Sequence, residues 1–140
     1  MGYFPLSDLK RTFGKAAVVG VCCMAAACTG NSKLSKQDIQ IAASDLRSLA
    51  NASSLLIDQS ESGNTTSIFV KSQSQLLSKK FDSVGDGLDG NAGEYDVERI
   101  RLREIGQALA IDLKDLSPDK RPHINAMGRE ALVIEEKLKE

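Results

Sequence analysis

Between residues 35 and 58 the positions Ile39, Ala42, Leu46, Leu49, Ser53 and Leu56 recur at alternating spacings of three and four. That rhythm places them on one face of an α-helix. Ser35 followed three residues later by Asp38 is a helix-start pattern. The run Glu61-Ser62-Gly63-Asn64 then reads as a turn. A second, more polar helix is predicted over 65–84, with Val70, Leu77, Phe81 and Val84 on one face and Phe69 and Leu76 beside them. Glycines at 85, 87, 90 and 93 predict a break and a mobile connector over 84–93. If it is only a connector, removing residues 87–90 leaves the fold intact.

Residues 95–116 carry Ile100, Leu102, Ile105, Leu109, Leu113 and Leu116, a broad apolar arc on a helix. The alternation Ile100-Arg101-Leu102-Arg103 also permits a strand over 97–105. Length favours the helix, because strands rarely run beyond about ten residues. Pro122 suits the first turn of a last helix, where its missing N–H does no harm. Ile124, Met127, Ala131, Ile134 and Leu138 continue that helix to the C-terminus. Four helices with short connections predict an all-α fold, a small up-down bundle.

The N-terminal part follows a different pattern. Lys10, Arg11 and Lys15 precede an uncharged run over 16–27, and small polar residues follow Cys28. Spanning a bilayer takes about 20 apolar residues, so the run matches the hydrophobic region of an export signal instead. All three cysteines lie at or before position 28, so cleavage before Cys28 leaves one thiol at the new N-terminus and no internal disulfide.

With Ala26 and Ala27 leading into Cys28, the segment resembles a bacterial lipoprotein precursor, although Ala25 stands where leucine is usual. The resemblance covers the first 28 residues only. It implies a diacylglyceryl group on Cys28, cleavage before it, and acylation of the new amine by palmitate or a similar chain. Thr29 lacks the aspartate that marks inner-membrane retention in such proteins, which implies the periplasmic face of an outer membrane. Ordinary signal peptidase cleavage, giving a secreted or periplasmic soluble protein, and an uncut weak anchor remain open alternatives. The expected organisation is a signal peptide at 1–27, a lipidated tether at 28–36 and a helical domain at 37–140.

Beyond residue 27 the chain holds 15 basic and 18 acidic residues, a net charge of −3. It has no basic block, no tryptophan and only Tyr95 as tyrosine, so nucleic acid is not an expected partner. Asp82, Asp86, Asp89 and Glu94 in the glycine-rich stretch are weak calcium candidates. Read from Asp82, the third and twelfth loop positions are Val84 and Gly93, which supply no ligand side chain. His123 is the sole histidine and has no cysteine or second histidine with which to complete a zinc site. No nucleophile elbow is present, and no cofactor is implied.

Glu98, Arg99, Arg101, Arg103 and Glu104 form the densest charge cluster. Its arginines are candidate partner contacts, since arginine is enriched at interfaces; a snorkelling Arg101 is the plainer account. The expected function is a non-catalytic binding or assembly module, held at the membrane through Cys28 and meeting an envelope protein partner. The alternatives are a periplasmic ligand- or ion-binding protein and a secreted soluble helical protein.

Overall fold

The computed structural model describes residues 33–140. The segment ending at Cys28, with the cleavage and lipidation expected there, lies outside the described residues. The described chain is an all-α bundle of four helices: α1 (Lys36–Glu61), α2 (Ser67–Gly87), α3 (Asp96–Asp112) and α4 (Arg121–Lys137). Single 3₁₀ turns at Gly93–Tyr95, Leu113–Asp115 and Pro118–Lys120 complete the connections.

Local chemistry sets the ends. The Ser35 hydroxyl accepts the Asp38 amide at 3.2 Å, and the Asp38 carboxylate accepts the Ser35 amide at 2.8 Å. This reciprocal box satisfies two N–H groups that an uncapped helix leaves orphaned. At the other end Gly63 sits at φ 69°. Its amide bonds the Ser60 carbonyl at 3.3 Å, while the Asn64 amide bonds the Gln59 carbonyl at 3.2 Å. That pair of bonds needs a left-handed residue between helix and loop, which glycine adopts without a Cβ clash. Thr66 caps α2 through the Phe69 amide at 3.2 Å, and Pro122 lies in the first turn of α4.

The helices run alternately up and down. Arg47 meets Glu135, Ser54 meets Asn125 and Asp58 meets Arg121, so rising numbers on α1 face falling numbers on α4. Ser78 bonds the Ala110 carbonyl and Arg99 bonds the Leu88 carbonyl, giving the same antiparallel sense between α2 and α3. The core holds Ile39, Leu46 and Ile57 from α1, Phe81 from α2, Leu102, Ile105 and Leu109 from α3, and Ile124 from α4, all 2% exposed or less. Small residues bring helices close: a Cβ on Gly128 of α4 would lie 3.0 Å from the Ala50 methyl of α1.

Several expectations need correction. α2 does not stop near Val84 but continues to Gly87. Each helical glycine costs about 1 kcal/mol against alanine, yet the inward series Phe81, Val84, Leu88 offsets it: Phe81 and Leu88 are fully buried and Val84 packs against the core. Residues 87–90 are therefore not a bare connector, since Leu88 is 1% exposed. Residues 97–105 lie within α3, so the strand alternative fails. In α3 the buried row is Leu102, Ile105 and Leu109, whereas Val97 and Ile100 face solvent at 76% and 49% exposure. The α3 helix also ends at Asp112, before the predicted Leu116. Finally, Lys33 and Leu34, assigned to the tether, pair with Asn91, the Leu34 amide reaching its carbonyl at 2.9 Å.

Candidate functional site

α2 has 21 residues and α3 has 17. With Ser78 opposite Ala110 at 3.2 Å, the first two turns of α2 extend past the point where α3 ends. The chain peels away there through Leu113–Asp115 toward α4. The mismatch leaves an open groove of about 690 Å³ between α2 and the α3–α4 connection. Its apolar lining comes from Val70, Leu113 and Leu116, its polar lining from Ser60, Ser67, Ser74, Gln75 and Ser78. Lys71, Lys79 and Lys114 supply the cations, and Asp115 is its only acid.

The sequence on α2 explains the lining. Ser67, Lys71, Ser74 and Ser78 follow the spacing four, three, four, so they occupy one helical face as an apolar seam would. Where α3 covers that face, Ser78 is buried against the Ala110 carbonyl. Ser74 is buried too, its hydroxyl donating to the Val70 carbonyl at 2.8 Å. Both hydroxyls are thus bound to backbone oxygens. Ser60, Ser67 and Gln75 make no side-chain hydrogen bond among the described residues, which leaves them free for a ligand. This polar row was present in the sequence, but a search for apolar periodicity passes over it.

The arginine cluster makes contacts within the fold. Arg99 bonds Asp96 at 2.7 Å and the Leu88 carbonyl at 3.1 Å, so its guanidinium holds the α2–α3 connection. Arg103 reaches Asp89 at 2.8 Å on that same connection. Arg101 lies on the outer face of α3, paired with Glu104 at 2.8 Å and with Glu130 of α4. These two carboxylates, Glu130 first, raise its already high pKa. The three side chains thus serve contacts within the fold.

Of the calcium candidates, Asp82 and Asp86 stand on exposed turns of α2, Asp89 pairs with Arg103, and Glu94 sits in the 3₁₀ turn. Among the described residues no three His, Cys, Asp or Glu side chains converge as a metal site. His123 is half-exposed, and its Nδ1 meets the Asp112 carboxylate, which Lys120 also approaches at 3.6 Å.

Sequence reasoning missed three buried acids, and each is paired. Glu98 meets Lys137, Asp112 meets His123 and Lys120, and Glu135 meets Arg47 at 3.4 Å and Lys139 at 3.0 Å. The Lys137 ammonium is the main cause that holds Glu98 below the ordinary carboxylate range. The Ala92 amide, then Arg99, lowers Asp96; hydrogen bonds from Ser35 lower Asp38, and the Ser117 hydroxyl lowers Asp119. A carboxyl with a lower pKa folded than unfolded holds protons more weakly in the native state. Its contribution is present above the unfolded value and lost as pH falls through the native one. The melting temperature is therefore expected to be level from about pH 7 to about pH 5 and to fall below about pH 4. Calorimetry across that range checks it, and a midpoint that climbs on acidification would refute the pairing.

The described residues thus form a small helical bundle with an open groove that carries three lysines. No family model matches the chain, and nothing among curated proteins or solved structures matches it.

Proposed function

We propose that the chain is a lipid-anchored cell-envelope protein whose helical domain is a non-catalytic binding module. The observation that carries the anchoring is Cys28, which closes the apolar run over 16–27 five residues before Lys33. Five residues reach at most about 18 Å when extended, so the end of the bundle carrying Lys33 would face the bilayer. The 26 residues of α1 span about 39 Å. The groove, flanked by Ser60 near the far end of that helix, would then lie away from the lipid. Two or three acyl chains hold a protein firmly where one does not, and confinement at a surface raises the effective concentration for weak contacts. The binding role is supported by the groove, whose size lies within the range of ligand sites.

The anchor is tested by the intact mass of the chain extracted from membranes of a bacterial host, wild type beside Cys28→Ala. The expected result is a chain beginning at Cys28 with added acyl mass, absent from the variant. An unmodified chain, whether full-length or trimmed, removes the anchor.

A further inference from the structure

We infer that the groove between α2 and the α3–α4 connection binds an extended acidic segment of a partner protein. This gives the binding module a partner class and rests on that reading.

Charge is the first argument. The described residues hold 15 basic and 18 acidic side chains, and eight of the cations pair with carboxylates: Arg47, Arg99, Arg101, Arg103, Lys120, Arg121, Lys137 and Lys139. Of the seven that do not, Lys71, Lys79 and Lys114 line this groove. An acidic domain thus gathers three uncompensated ammonium groups around one cleft that contains a single acid. Complementary charge of this kind steers association and selects partners.

Shape is the second. From Ser67 to Lys79 the α2 wall runs twelve residues, about 18 Å, the length of five or six residues of extended chain. Lys71 and Lys79 are eight residues apart, about 12 Å along the axis. That spacing matches carboxylates four residues apart on an extended peptide, roughly 13 Å. The unbonded side chains of Ser60, Ser67 and Gln75 can satisfy the peptide backbone, whose polar groups must find partners once desolvated. Val70, Leu113 and Leu116 offer apolar surface to the alternate side chains, which point the other way from the acids.

Fluorescence anisotropy tests this with the detergent-solubilised full chain. The probe is fluorescein-labelled Glu-Leu-Ser-Leu-Glu, and the control replaces both glutamates by lysine. Saturable binding of the acidic peptide is expected, weakened by added salt and roughly tenfold weaker for the lysine peptide. Lys71→Glu with Lys79→Glu should cost a similar factor while leaving the melting temperature unchanged, since both side chains are exposed. No saturable binding, equal binding of the two peptides, or binding indifferent to the double substitution overturns the inference. Complete displacement by millimolar inorganic phosphate also overturns it, in favour of a small-anion site. Because the assay needs no membrane, failure here leaves the Cys28 anchor standing, and an unmodified Cys28 leaves the groove standing.

Discussion

Leu46→Asp is expected to unfold the domain. Leu46 is 0% exposed on α1, and its Cδ2 lies 3.4 Å from where a Cβ on Gly106 of α3 would stand. Trimming such a leucine to alanine costs about 2–5 kcal/mol through lost burial and the cavity left behind. The aspartate adds a carboxylate with no cation beside it among apolar side chains, a further penalty of several kcal/mol. Domains of this size hold only about 5–15 kcal/mol in total, so the sum reaches the whole stability. Far-UV circular dichroism of the solubilised chain should show lost helicity for Leu46→Asp. Leu46→Ala should stay folded with a melting temperature lower by roughly 10 °C or more. Ser48→Asp, on the exposed side of the same helix, should change little. Native helicity and melting in Leu46→Asp would refute the packing of α1 into the core.

That result would test the part of the fold most legible in the sequence. Ile39, Ala42, Leu46, Ser53 and Leu56 are all buried, because α1 contacts the three other helices along its length and its seam faces a complete core. α2 was harder to read. It buries only Ser74, Ser78 and Phe81, since its first turns lie beyond the end of α3, so an apolar seam was never required there. Phe69 and Leu76, placed beside the seam, are 45% and 47% exposed. The α3 arc misled for a related reason: Ile100 is apolar but outward, while Glu98 is inward, where Lys137 of α4 partners it. Tertiary pairing decided these positions, and periodicity carries no information about a partner on another helix. The groove was illegible for the same reason, arising from the relative lengths of two helices and the direction in which the chain leaves one of them.

Gly128 is where a close helix contact, rather than a large side chain, governs stability. It lies one residue after Met127 in the predicted α4 seam, and glycine there reads as a mild weakness of about 1 kcal/mol. In the fold it is buried against Ala50, at a close α1–α4 contact. Two effects therefore oppose each other. Gly128→Ala gains helix propensity, up to about 1 kcal/mol. Its new methyl must sit 3.0 Å from the Ala50 methyl, tighter than the 3.5–4.0 Å at which carbon atoms attract, so α1 and α4 must part slightly. A net change near zero is expected. Gly128→Leu cannot be absorbed in that way, since a branched side chain has to separate the helices and strip Ser54 from Asn125 and Arg47 from Glu135 on either side. Overpacking of this kind costs about 1–3 kcal/mol or more, and the lost contacts add to it, so a melting temperature lower by roughly 10–20 °C is expected. Ala50→Gly should recover part of that loss in the double variant, although the same change alone lowers stability through propensity. Partial rescue by a substitution that is harmful by itself is the signature of direct contact between the two positions. Strictly additive losses across the cycle would mean that α1 and α4 do not meet at Ala50 and Gly128.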